Sequence, residues 1–346
     1  MMRSLRQVAA LATAFAVGCS GLLGLSDYPP GGTGPTESDA GIEISDAAGD
    51  RADASGPRLI SCKPDGLMGV PQRVGGLHEE GSTERSIVLT RDELTAYFSR
   101  ATLDADGGLL SDFRLFTASR ASRDRSFDPP TSVPFTTPAI ATQPRLFDLY
   151  PSLLAGDDLL YLVRIRDVAE ELYVVDRRKP FPPALTDVNR VIVGNQKRVP
   201  GQFWMLLAED RSDPSEVFFS QPLDEAGSEG VLVRAVRSSA TEIGAWTPLE
   251  GVHAASRVDY RPVVRNAGSH VYFASNRSDT DAGGNGYDVF VAIREDGGYD
   301  IRAVAGLRTP GVGDLLDWVS EDECRIYFTR RENGLYGLFL VEREER

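Results

Sequence analysis

The chain is poor in the residues that most catalysis and metal binding rely on. Its 346 residues include three cysteines, three histidines and four methionines. His78, His253 and His270 form neither an HExxH motif nor a close pair, so a zinc site lacks its usual ligand spacing. No G-x-S-x-G elbow, P-loop or dinucleotide fingerprint is present. Positive charge is also scarce, with 37 Lys and Arg against 51 Asp and Glu, a formal charge of −14 and no basic tract. Such a surface repels phosphate backbones, so nucleic acid is not an expected partner. Long amphipathic helices are missing too. Only short stretches such as "RDVAEELY" have helical character.

What is present reads as a soluble globular protein, 41% hydrophobic and 25% charged, long enough for one large or two ordinary domains. The first residues carry Arg3 and Arg6 and then an apolar run from Val8 to Val17. That run is too short to span a bilayer and has the shape of a signal-peptide core. It ends in Ala16-Val17-Gly18-Cys19, which resembles the bacterial lipobox, with Ala16 where leucine is more usual. The resemblance implies a signal peptide over 1–18, acylation of Cys19 and attachment to the membrane through the acyl chains alone. Ser20 in place of aspartate implies the outer membrane, its face left open. An ordinary secretory signal cut nearby is the alternative.

From Ser20 to Arg58 the chain is rich in Gly, Asp, Ala, Ser and Pro, with few large apolar groups to offset ordering entropy. The expectation is a disordered tether over 19–58, its flexible part spanning about 35 Å r.m.s.. The folded domain is then 59–346.

Within that domain the sequence repeats itself. A short aromatic-rich strand is followed, after a polar gap, by a second strand. The five copies are "LTRDELTAYFSR" with "FRLFTASR", "LLAGDDLLYLVRIR" with "ELYVVDRR", "GQFWMLLAEDR" with "SEVFFSQPL", "NAGSHVYFASNR" with "YDVFVAIRE", and "VSEDECRIYFTRR" with "YGLFLVERE". Apolar and polar positions alternate, as in half-buried strands. The predicted fold is all-β. Anchors at Tyr97, Tyr161, Leu206, Tyr272 and Tyr327 are spaced 64, 45, 66 and 55 residues apart. The segment after Tyr327 and the segment before Tyr97 together supply one more repeat length. The expectation is a single propeller of five blades, with six as the alternative, closed by an N-terminal strand in the last blade. In an exported protein the two remaining cysteines, Cys62 and Cys324, invite a disulfide that would clasp the two ends together. Two unpaired thiols are the alternative.

The recurring elements are Thr90-Arg91-Asp92 with Tyr97-Phe98, Ser320-Glu321-Asp322 with Tyr327-Phe328, and Tyr272-Phe273 with Ser275-Asn276-Arg277 and Asp288-Val289-Phe290. This pattern resembles the TolB-like β-propeller repeat, in the form found in bacterial lipoproteins with WD-repeat-like propellers. It extends over about residues 65–346. The resemblance implies a propeller that presents a face or channel for contacts, and no particular reaction.

Catalytic, metal and cofactor sites are therefore not expected, and the length leaves no room for an added hydrolase domain. Asp92, Asp157 and Asp322 recur before strands, where aspartate serves turns by bonding the local backbone. Asp279 and Asp281, beside a glycine cluster, suggest a cation loop, but an EF-hand register would place Gly283 and Phe290 at ligand positions. The similar gap in the first copy marks both as hairpin connections. Trp204, Trp246 and Trp318 are expected in the core rather than on a sugar-binding surface. The expected function is a non-catalytic binding or scaffolding module for another envelope protein. The alternative is a carbohydrate-active propeller that binds glycan or hydrolyses it with channel carboxylates.

Overall fold

The computed structural model describes residues 62–103, 113–134, 146–166, 169–194, 207–210, 212–223, 230–254, 257–277, 286–307, 313–332 and 334–344, with the side chains of 146–149, 166, 169 and 170 left aside. Cys19, the signal peptide, the tether, Trp204, Leu206, Asp279 and Asp281 lie outside the described residues.

The first strand is β1 (Gln72–Arg73). Blade 1 follows with β2 (Ser82–Leu89), β3 (Thr95–Thr102), β4 (Arg114–Ser119) and β5 (Thr131–Ser132). Blade 2 has β6 (Leu146–Leu154), β7 (Leu159–Arg166) and β8 (Ala169–Asp176). A 3-10 turn at Asp187–Asn189 and β9 (Ile192–Val193) lead on to blade 3. That blade comprises β10 (Ala208–Asp210), β11 (Asp213–Pro222), β12 (Gly230–Ser239) and β13 (Glu242–Pro248). Blade 4 is β14 (Asp259–Arg265), β15 (His270–Ser275), β16 (Asp288–Glu295) and β17 (Gly298–Ala303). Blade 5 is β18 (Asp314–Val319), β19 (Arg325–Glu332) and β20 (Leu335–Glu342). Its outer strand is β1. The protein is a five-bladed β-propeller.

Closure follows the expected route. Gln72 pairs with Leu340 and Arg73 with Phe339, so the N-terminal strand completes the last blade. The Cys62–Cys324 disulfide spans 262 residues, and the Cys62 N–H donates to the Asp322 carbonyl at 2.8 Å. In the chain-entropy account, cross-linking so long a loop contributes at most about 5 kcal/mol.

Apolar side chains join neighbouring blades. One cluster holds Tyr97, Leu160, Trp318 and Tyr327 from blades 1, 2 and 5, and others fill the gaps between blades 2 and 3, 3 and 4, and 4 and 5. Second strands are therefore buried on both faces. Val271 to Ser275 are all buried, where the alternating pattern had suggested one wet face.

Two sequence readings need correction. "RDVAEELY" contains no helix in its described part, because Ala169–Asp176 is a strand paired along its length with β7. The third copy was read one strand out of phase. The described end of "GQFWMLLAEDR" is the innermost strand, whereas its supposed counterparts in the other copies are second strands. Phe218, on the second strand β11, is the true counterpart of the anchor tyrosines. With it the spacings become 64, 57, 54 and 55. The aromatic run before Ala208 mimicked the motif that Phe218 carries without a tyrosine.

Candidate binding site at the propeller axis

The repeated signature holds each blade together. In blade 5, Arg330 on the second strand donates to both oxygens of Asp314 on the first, at 2.7 and 2.8 Å, and lies 5.2 and 5.4 Å from the Phe328 and Phe339 rings. In blade 4 Arg277, just past the second strand, pairs with one Asp259 oxygen at 2.8 Å beside Phe273 and Phe290, and in blade 1 Arg100 lies 3.4 Å from Glu84 beside Phe98 and Phe116. The phenylalanine pairs stack at 5.8, 5.9 and 6.0 Å. A guanidinium laid over two rings and paired to a buried carboxylate is a stable, local arrangement. His78 and His253 stand beside these carboxylates, 3.2 Å from Glu84 and 3.9 Å from Asp259.

The Ser/Thr-x-Asp elements are turns between first and second strands. Burial alone would push the Asp92 carboxyl up, but the Thr90 hydroxyl and the Leu94 N–H hold it below the usual carboxylate range. Asp322 does the same with Ser320 and the Cys324 N–H. Asp157 is a turn residue with φ 76° that accepts the Arg91 N–H of blade 1 at 2.5 Å. The glycine-rich stretch after Ser275 connects two paired strands, since Ser275 faces Asp288.

The axis departs from the repeat. Each innermost strand slips register against its neighbour, forming a bulge. Ser86, Tyr150 and Arg261 occupy these bulges with φ of 58°, 55° and 57°. That conformation is costly for a residue with a β-carbon and persists where surrounding bonds fix it. The Ser86 N–H donates to Thr329 of the preceding blade at 2.9 Å, and the Arg261 N–H to Ser220 at 3.0 Å. Thr329 and Ser220 each lie two residues past the anchor aromatic, so the motif's hydroxyl secures the next blade's bulge.

The bulges bring side chains from four blades together. Arg261 is ion-paired with Asp317, donates to the Ser86 hydroxyl at 3.2 Å and lies 5.2 Å from the Tyr150 ring. Thr329 donates to the other Asp317 oxygen at 2.6 Å. Arg261 and Asp317 are both buried. Burial pushes the Asp317 carboxyl up to about 6, although Arg261 and Thr329 pull it down. Beside this pair, Arg85 donates to the Tyr150 hydroxyl at 3.0 Å. Its guanidinium lies 5.0, 5.4 and 5.5 Å from the rings of Tyr336, Tyr150 and Phe113.

Toward the turns between first and second strands, a depression is lined by Leu153, Leu207, Pro262 and Trp318, with Asp157 and Glu209. Its acids are engaged. Glu209 accepts the Ala155 and Gly156 N–H groups at 2.6 and 3.2 Å. Trp318 packs edge-on against Tyr327 in the core, and Trp246 is half-buried against the blade 2–3 cluster. Among the described residues, no group of three or more His, Cys, Asp or Glu could hold a metal ion.

Sequence reasoning missed Arg85, Tyr150, Arg261 and Asp317. They lie just before the recognised turns, on innermost strands that the two-strand repeat left out. Charged residues inside otherwise apolar strand segments, as in "YRPVV" and "LLDWV", are the signal that would have found them.

No protein-family model matches the sequence, and no curated protein is similar to it in sequence. Solved structures do resemble it in fold. The endo-arabinase from Bacteroides thetaiotaomicron superposes with a TM-score of 0.50 at 11% identity, over 80% of this chain and 98% of that one. The family 117 glycoside hydrolase Zg3597 from Zobellia galactanivorans gives 0.49 at 11% identity, over 82% and 90%. TolB from Acinetobacter baumannii gives 0.38 at 9% identity, over 76% of this chain, which spans 55% of that TolB's length. At such identities the likeness is one of fold, and the fold hosts unrelated functions.

Proposed function

We propose that this is an exported protein, lipid-anchored at Cys19, whose propeller binds a partner at the cell envelope without catalysing a reaction. The observation that carries the non-catalytic part is the engagement of the acids at the axis. Asp317 is bound by Arg261 and Thr329, Glu209 by two backbone N–H groups, and Asp157 by the Arg91 N–H. A glycosidase needs one carboxyl free to donate a proton and a second free to attack or to activate water. The Cys62–Cys324 disulfide suits an oxidising compartment.

The carbohydrate-active alternative draws on the depression where Asp157, Glu209, Asp317 and Trp318 come together. Incubation with a panel of plant and bacterial polysaccharides separates the two readings. Binding alone predicts no release of reducing ends. Release that disappears in Glu209→Gln or Asp317→Asn would establish the alternative. The anchor has its own test: Cys19→Ser should shift the protein from the membrane to the soluble fraction, and unchanged fractionation would contradict it.

A further inference from the structure

Among the described residues, Arg85 is the axial charge that the scaffold does not account for. It precedes the bulge on β2, and the equivalent positions in blades 2, 4 and 5 are Leu149, Tyr260 and Leu316. Blade geometry therefore accepts an apolar or aromatic residue there and does not require arginine. Two guanidinium groups, those of Arg85 and Arg261, share the neighbourhood of Asp317, and that carboxylate is bound to Arg261. Among the described residues Arg85 makes one hydrogen bond, to the Tyr150 hydroxyl, and its Nε is buried without a partner. Three aromatic rings close around the guanidinium and leave its in-plane donors as the means of binding. The residue is half-buried, and its neighbours Phe113 and Tyr336 follow the connections between second and third strands in blades 1 and 5. It thus lies beneath the end of the propeller opposite the Ser/Thr-x-Asp turns.

We propose that Arg85 binds a carboxylate presented by a ligand entering the axis from this end, with Tyr150, Tyr336 and Phe113 holding the guanidinium plane in place. A planar fork of N–H donors matches a carboxylate in two parallel bonds, and partial desolvation strengthens them. Aromatic walls favour a ligand with an apolar or aromatic group next to the acid. This inference rests on the binding reading above and names the ligand's chemistry.

The test is calorimetric titration of the purified protein at low ionic strength. One arm uses benzoate with benzamide as its neutral control. The other uses an N-acetylated tetrapeptide ending in phenylalanine, with a free or an amidated C-terminus. Inorganic phosphate is the third arm. The expected result is one-to-one binding of the free acids, absent for both amides and weaker by about tenfold or more in Arg85→Gln. Arg85→Lys, which keeps the charge and loses the fork, should recover only part of it. The tighter of the two acid arms then tells a small organic acid from a peptide terminus. Unchanged affinity in Arg85→Gln, no binding of either acid, or phosphate binding as tightly as benzoate would each overturn the proposal. Near-ultraviolet circular dichroism confirms that the variants are folded. Sugar release would instead defeat the binding reading, and it is measured separately.

Discussion

Blades 1, 4 and 5 share one arrangement of four side chains, whereas blade 3 has Gln221 at the arginine's position and blade 2 has Leu162 at the first phenylalanine's. In the first group a first-strand carboxylate, an arginine on or just past the second strand and two stacked phenylalanines form a closed unit. Blade 3 has Gln221 where blades 1 and 5 have arginine, and its Arg234–Glu216 pair is exposed at 3.5 Å. Blade 2 has three strands among the described residues, and its Arg164 faces Asp148 in register and lies over Tyr173 at 5.6 Å. Here the connecting chain contributes. The Val191 N–H donates to Leu172 of blade 2, and from the next residue on β9 pairs in parallel with β13 of blade 3. That strap ties the two irregular blades to each other. Blades 2 and 3, where the four-residue unit is altered, are joined by this strap in addition to the apolar cluster between them. The repeated residues serve as scaffold, which leaves the residues that break the repeat as the place to test for recognition.

The difference can be tested by breaking each kind of contact. Arg330→Met leaves Asp314 buried and unpaired, and urea denaturation should show a loss of about 3–5 kcal/mol. Replacing both partners with apolar residues of similar volume should restore most of it. At the axis, Arg261→Met should cost a comparable amount at pH 8 and less at pH 5. The sign follows from the raised Asp317 carboxyl, which titrates in the folded state near 6. Between the ordinary carboxylate range and that value, the native protein holds a proton that the unfolded chain releases, so this group weakens the fold as pH rises. Without Arg261, protonation at pH 5 removes most of the charge that burial penalises. Cys62→Ser with Cys324→Ser should cost about 2–5 kcal/mol, since it frees the closing strand. Asp92→Ala removes one turn carboxylate and should cost about 1 kcal/mol. Arg234→Met, in the exposed pair of blade 3, should cost less than about 1 kcal/mol.

The architecture was largely legible in the sequence because tyrosine and phenylalanine mark the second strand of each blade and recur at a nearly fixed interval. Tyr97, Tyr161, Tyr272 and Tyr327 all fall on second strands. Closure was legible from the leftover segments at the two ends, and the Cys62–Cys324 bond agrees with it. The third blade was misread because Phe218 lacks the tyrosine hydroxyl and an unrelated aromatic run lies just upstream. The axial cluster was not legible at all. Successive members are 56 or more residues apart in sequence on four blades, and only the bulges bring Arg85, Tyr150, Arg261 and Asp317 together. A register slip has no sequence motif of its own here, since its residues are serine in one blade, tyrosine in another and arginine in a third.

The central claim is that the propeller binds through its axial mouth on the side of Arg85 and uses the remainder as scaffold. Photo-crosslinking in cells tests it most directly, with benzoylphenylalanine placed singly at Leu335 beside that mouth, at Arg91 on the opposite end, and at Val236 on an exposed part of blade 3. The account predicts one discrete crosslinked species from Leu335, lost when Arg85→Gln is added, and none from the other two positions. An equal or stronger crosslink from Arg91 or Val236, or a Leu335 crosslink indifferent to Arg85, would contradict it.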